Sequence, residues 1–156
     1  RFSVMTLFII CGSITFSQIL AFSEASGGLT DVILNSELAP ILILLGMLAI
    51  LMVLGCFMDQ VSMIMITMPL YMPVVEQLGY NVVWFGVLTL MIMEISLATP
   101  PFGLLLFVAK GAAPEGTTMR EVIISVLPFI FLALSVVVLI IMLPQITLIL
   151  PELVIN

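Results

Sequence analysis

Residues 97–103 read LATPPFG and lie within an apolar stretch long enough to cross a bilayer. Proline has no amide hydrogen, so Pro100 and Pro101 cannot serve the carbonyls of Ser96 and Leu97, and an unbroken helix is excluded. The residue before a proline is turned away from helical angles, which predicts extended geometry at Thr99 and Pro100. Gly103 is free to adopt whatever angles the restart requires. The chemistry open to such a break is ion binding. The bare carbonyls of Ser96 and Leu97, the hydroxyls of Ser96 and Thr99, and the negative end of the first half-helix suit a small hard cation such as Na⁺. Pro101, Phe102 and Gly103 lead into the positive end of the next half-helix and are the candidate contacts for an anionic solute.

A second stretch, LGCFMDQ at 54–60, offers a similar arrangement. Gly55 permits a close turn, a first arm ends there with free carbonyls, and a second arm starts near Asp59. Asp59 can cap that arm by accepting from the amide of Val61 or Ser62, a role compatible with lining a site. Glu94 lies inside an apolar run, where it is either a proton- or ion-carrying carboxylate or a partner in a pair within the bundle. Tandem prolines followed by glycine remove a whole turn, whereas Pro69 and Pro73 read as packing kinks. Two interrupted segments in one membrane domain point to the midplane site of a secondary transporter.

The elements that position these residues follow from composition. The chain is 63% hydrophobic and 8% charged, with mean hydropathy +1.45, far from the roughly 25% charged residues of a soluble domain. The fold class is all-α, a polytopic membrane helical bundle in the lipid bilayer. Three basic residues against nine acidic ones leave no footprint for nucleic acid or anionic lipid. With no histidine, neither a metal site nor a Cys/His pair can be completed, and Cys11 and Cys56 read as small core residues. Asp59 is the sole aspartate in an apolar run and no Ser/His pair exists, so the chain is not expected to be an enzyme or to carry an organic cofactor.

Residues 1–22 read as a transmembrane helix and 23–38 as an interfacial polar segment. Residues 39–76 contain two apolar pieces with no polar linker, the second too short to span, and read as a re-entrant hairpin with LGCFMDQ at its tip, an arrangement that two short tilted spans would resemble in sequence. Residues 82–110 read as a broken transmembrane helix and 120–144 as a final one. This layout places Arg1, Lys110 and Arg120 on one side, the cytoplasm. Because the chain starts at Arg1 and enters an apolar segment at once, it is expected to be a piece of a longer protein.

GCFMD (55–59), PLYMPV (69–74), LGYNVVWFGV (78–87) and EISLATPPFGLLLFVAKG (94–111) together resemble the C-terminal part of the large membrane subunit of TRAP transporters, the tripartite ATP-independent periplasmic family. The resemblance covers nearly the whole chain. It implies a multi-pass subunit of a bacterial inner-membrane symporter that uses Na⁺ to import organic acids, C4-dicarboxylates or sialic acid, by an elevator mechanism. It also implies a small TRAP membrane subunit and a periplasmic substrate-binding protein as partners, and makes this chain most of the second inverted repeat. The family's tip glycine and acid fall on Gly55 and Asp59, and its Thr-Pro-Pro-x-Gly loop on Thr99, Pro100, Pro101 and Gly103. Many members carry glycine where Ser96 stands, so Ser96 either adds an oxygen ligand or tightens the loop. Two other functions would use similar elements: a divalent-anion/Na⁺ symporter that needs no binding protein, and an ion channel, which requires a continuous polar pore.

Overall fold

The computed structural model describes residues 38–100 and 103–149, together with 11, 12, 15, 16, 18, 19 and 28. The first transmembrane segment and most of the interfacial segment expected over 1–38 therefore lie outside the described residues, as do Pro101 and Phe102. Among the described residues the elements with defined bounds are, in order, the helices α1 (Pro40–Gly55), α2 (Gln60–Gln77), α3 (Val82–Leu97), α4 (Leu104–Ala112) and α5 (Met119–Met142). The described residues contain no strand, in agreement with the all-α expectation. Of these helices, α5 is long and apolar enough to cross a membrane, while α1 and α3 are shorter apolar helices.

The chain divides into two compact units, one of residues 1–47 and 59–82 and the other of 48–58 and 83–156. In the first, α2 opens on Asp59 and contains Pro69 and Pro73. Met63, Tyr71, Val74 and Val75 of α2 are buried, and the Tyr71 phenol donates to the Met47 carbonyl of α1 at 3.4 Å. Helix α2 ends in a Schellman turn: Gly79, at φ 73, donates to the Glu76 carbonyl and Tyr80 to that of Val75. A left-handed residue is required at that point, and glycine takes it without a Cβ penalty.

In the second unit, α3 buries Trp84, Phe85, Leu88, Ile92, Met93 and Ile95, and α5 buries Val122, Ile130, Val137 and Ile140. Helix α5 begins with a capping box: the Thr118 hydroxyl accepts from the Glu121 amide at 3.3 Å, and the Glu121 carboxylate accepts from the Thr118 amide at 2.7 Å, which satisfies two of the amides a helix start leaves over. Its other end is closed from a distance. Pro144 cannot donate to the Ile140 carbonyl, and the buried Trp84 indole donates to it instead at 2.9 Å. Trp84→Phe is expected to strand that carbonyl and cost about 1–3 kcal/mol. Adding Pro144→Ala, which returns a backbone donor, should recover part of the loss. Thermal unfolding of the full permease carrying the single and double changes measures both, and additive losses would exclude the link.

Helical serines and threonines of this chain commonly turn their hydroxyls back onto a carbonyl one turn earlier, as Thr67 does to Met63, Ser125 to Glu121 and Ser135 to Phe131. Thr89 does not: 3% exposed on α3, its hydroxyl has no partner. A buried hydroxyl without a bond loses its hydration for nothing, so the isosteric Thr89→Val is expected to leave the melting temperature unchanged or raise it. A marked fall in that temperature would show a partner supplied from elsewhere in the protein.

Candidate functional site

The apolar stretch of residues 82–110 carries two helices, α3 ending at Leu97 and α4 starting at Leu104. At the end of α3 the amides of Ala98 and Thr99 reach back three residues, to the carbonyls of Ile95 and Ser96, each at 3.1 Å. This corrects one expectation. The Ser96 carbonyl is not bare, because the last turn tightens and lets the Thr99 amide take the place of the missing proline donor.

The Leu97 and Thr99 carbonyls converge instead on Gly103, which is buried at φ −44 and ψ 109. A Cβ there would lie 2.5 Å from the Leu97 oxygen and 2.9 Å from that of Thr99. Glycine is therefore required for close approach of main chain to main chain rather than for an unusual dihedral angle. The Gly103 carbonyl accepts from the Leu106 amide at 2.9 Å as α4 begins.

Both hydroxyls of the break donate to α3 carbonyls, Ser96 to Met93 and Thr99 to Ile95, each at 2.7 Å. A hydroxyl whose proton is committed this way presents only lone pairs to its surroundings. Ser96 is fully buried, and its bond into the preceding turn fits tightening of the helix end. Thr99 is half-buried and, with Pro100, lines a cavity of about 370 Å³ whose other walls are Ala49, Met52, Val53, Cys56 and Phe57.

The turn after α1 thus meets the break. In it Gly55 is the buried last residue of α1, the Cys56 amide donates to the Val53 carbonyl at 3.2 Å, and the amides of Phe57 and Met58 donate to that of Leu54 at 2.9 and 3.1 Å. The Cys56 thiol points to the Met52 carbonyl at 3.3 Å and lies 4.0 Å from the Pro100 carbonyl, forty-four residues along the chain. Burial of Cys56 agrees with its reading as a small core residue, but its position against Pro100, and the place of Met52 in the cavity wall, have no signature in the sequence. Cys11, by contrast, is exposed.

Asp59 belongs to the first unit, where it caps α2. Its carboxylate accepts from the Ser62 amide at 3.0 Å and from the Ser62 hydroxyl at 2.6 Å, the structural role open to it on sequence grounds. Glu94 is exposed and lines a second cavity of about 170 Å³ with Ile95 and Ala98 of its own segment and Val126, Phe129, Ile130 and Ala133 of α5. It is the one charged residue among those seven.

The described residues contain no group of three or more His, Cys, Asp or Glu able to hold a metal ion. A cation at the break would therefore rest on neutral oxygens: the Thr99 hydroxyl and the carbonyl groups of the loop. Hard cations take such oxygen ligands. Of the three basic residues in the chain, Lys110 donates to the Thr117 carbonyl at 3.2 Å, Arg120 sits exposed in the first turn of α5, and Arg1 lies outside the described residues. Neither Lys110 nor Arg120 lines the cavity at the break.

The family model described as "Tripartite ATP-independent periplasmic transporter, DctM component" matches residues 1–146. The chain is 33% identical over 151 residues to the C4-dicarboxylate TRAP transporter large permease protein DctM of Rhodobacter capsulatus, covering 97% of this chain and 34% of that protein. It is 33% identical over 147 residues to the sialic acid TRAP transporter large permease protein SiaM of Vibrio cholerae, covering 92% and 33%. To the ectoine/5-hydroxyectoine TRAP transporter large permease protein UehC of Ruegeria pomeroyi it is 32% identical over 149 residues, covering 94% and 34%. The chain thus spans about a third of the length of the curated relatives it matches.

Proposed function

Because this chain belongs to the DctM component family of tripartite ATP-independent periplasmic transporters, we propose that it forms part of the large permease of a symporter that imports an organic acid into bacteria at the expense of the Na⁺ gradient. In this reading a periplasmic binding protein delivers the solute, a small membrane subunit completes the complex in the inner membrane, and the transporting body moves as an elevator. Residues 39–76 form a re-entrant hairpin, and the cation sits where the hairpin tip meets the broken helix. The observation that carries the reading is the cavity lined by Cys56 and Phe57 of the turn and by Thr99 and Pro100 of the break, with the Cys56 thiol 4.0 Å from the Pro100 carbonyl.

Irregular backbone survives at bilayer depth only where it lines a cavity or holds a ligand. Thr99 and Pro100 line this cavity; the Thr99 hydroxyl, its proton given to Ile95, and the Pro100 carbonyl can only accept hydrogen bonds, which suits a cation. Na⁺ fits the neutral donor set, and the residues assigned to it are Gly55, Leu97, Thr99, Pro100 and Gly103, with Asp59 fixing the start of the second hairpin arm and Ser96 tightening the helix end. Glu94 stands apart, on a cavity of its own with α5.

The test uses the full permease with its small subunit and binding protein in proteoliposomes. An inward Na⁺ gradient should drive uptake of succinate, sialic acid or another organic acid, and uptake should saturate and require the binding protein. Uptake at full rate without the binding protein would favour a divalent-anion/Na⁺ symporter, and non-saturating flux would favour a channel. Equal uptake with Na⁺ replaced by N-methylglucamine would remove the cation seat.

A further inference from the structure

We infer that the cavity between α3 and α5 is a docking site for an arginine side chain supplied by a segment of the permease outside this chain, with the Glu94 carboxylate as its counter-charge. The inference rests on the placement of α3 within a membrane-spanning permease and is independent of which ion drives transport.

Glu94 ends a stripe on α3. Val83, Leu90 and Glu94 are exposed and Val87 and Met91 half-buried, and this spacing places all five on one face of a helix. On the opposite side Phe85, Leu88, Ile92 and Ser96 are buried. Water would not suit the four apolar residues of the stripe, and lipid would not suit the acid. At 1.5 Å per residue Glu94 lies about 18 Å along the axis from Val82, well into a hydrocarbon core of about 30 Å. An ionisable side chain at that depth faces protein and is paired. The stripe is therefore a surface for another element. This chain spans about a third of the length of its curated relatives, and the remaining length of such a permease is the source of that element.

The cavity at the end of the stripe selects the chemistry of what enters it. Its volume is about 170 Å³, and apart from Glu94 its walls are apolar: Ile95 and Ala98 on one side, Val126, Phe129, Ile130 and Ala133 of α5 on the other. All of them belong to one compact unit. An apolar occupant would leave the carboxylate stripped of water, and a neutral polar one would leave its charge uncompensated. A long side chain with a cationic head satisfies both parts, its methylene stem against the apolar wall and its head on the carboxylate. An aromatic residue beside an acid favours guanidinium over ammonium, because guanidinium is the less strongly hydrated, pairs with a carboxylate through two parallel bonds and stacks on aromatic faces. Lys110, which donates to the Thr117 carbonyl, and Arg120 do not line this cavity. Arg1 opens a segment read as a membrane span, which puts it at an interface, and it is included in the test as the rival source.

The experiment uses the full permease with its small subunit. Glu94→Arg sets a second cation in the cavity and is expected to cut the yield of monodisperse complex about tenfold, since a buried charge is left facing its like. In that background each arginine of the permease outside this chain, and Arg1, is changed in turn to glutamate. One of those outside the chain should return the yield to within about twofold of wild type, because the swapped pair is complementary again. A second readout does not depend on that variant folding. Glu94→Leu should lower the melting temperature, and leucine at the identified arginine as well should recover most of the loss, because a buried pair is less costly to remove whole than by halves. Wild-type yield and melting temperature in both Glu94 variants, restoration by no arginine of the permease, or restoration through Arg1 would overturn the inference. The uptake assay described above reads symport separately. Na⁺-driven uptake with no restoring arginine overturns the pair and leaves symport intact, whereas a restoring arginine in a complex without Na⁺-driven uptake upholds the pair and removes the symport reading.

Discussion

Gly103→Ala is expected to reduce Na⁺-driven uptake by at least tenfold and to destabilise the permease by about 1–3 kcal/mol, the usual cost of forcing a methyl group into filled space. The cause is specific. The added carbon would lie 2.5 Å from the Leu97 carbonyl oxygen and 2.9 Å from that of Thr99, and both obstacles are main chain, which cannot swing aside as a long side chain can. To make room, the loop must separate from the end of α3, and the oxygens gathered there move with it. Uptake in proteoliposomes and thermal unfolding of the same preparation read the two effects. Wild-type uptake by the alanine variant would show that the approach of Gly103 to the two carbonyls is not needed for transport. Gly79, whose requirement for glycine comes from φ 73 in a surface turn, offers a contrast: alanine there should lower stability without changing Na⁺ dependence.

The second large effect is expected at Thr99. Thr99→Ala removes one oxygen of the proposed cation seat and should raise the Na⁺ concentration for half-maximal uptake about tenfold, equivalent to about 1.4 kcal/mol. Thr99→Ser keeps the hydroxyl and its bond to Ile95 and should stay within about twofold of wild type. Thr99→Val keeps the shape and loses the oxygen, so it should behave as alanine does. This triplet separates ligation from packing. If valine matched wild type and serine did not, Thr99 would act through its methyl group, and its assignment to the cation would be withdrawn. At saturating Na⁺ the maximal uptake rate of the alanine variant should approach that of wild type, because the ion has been weakened and the loop has not been moved.

What could be read in the sequence was whatever a local rule dictates. Tandem prolines forbid a helix wherever they fall, so the interruption between α3 and α4 is visible in residues 97–103 alone. The same holds for Asp59, whose carboxylate can cap the helix it opens by short-range geometry; the capping box at Thr118 and Glu121 is equally local but is not among the sequence expectations. The fate of the Ser96 carbonyl is also a local matter, but the missing donors of Pro100 and Pro101 decide only part of it: the helix end tightens and recruits the amide of Thr99.

Other features needed the topology. Nothing within LGCFMDQ says that the Cys56 thiol comes to rest near the Pro100 carbonyl. The Trp84 bond to Ile140 spans fifty-six residues. A trace of it was present, because Pro144 must leave the Ile140 carbonyl without its usual donor and Trp84 is the only indole in the chain. Matching the one to the other still required knowing that the start of α3 lies beside the end of α5.

The direction of the short Thr99 hydroxyl bond at the end of α3 has a bearing on turnover. Because the Thr99 hydroxyl is held by its own helix, that part of the proposed seat is a fixed neutral dipole with no full negative charge to grip an ion. Such a seat would attract Na⁺ modestly and let it go when the sodium concentration falls, as on reaching the cell interior. A carrier that must unload on every cycle gains more from ready discharge than from tight capture.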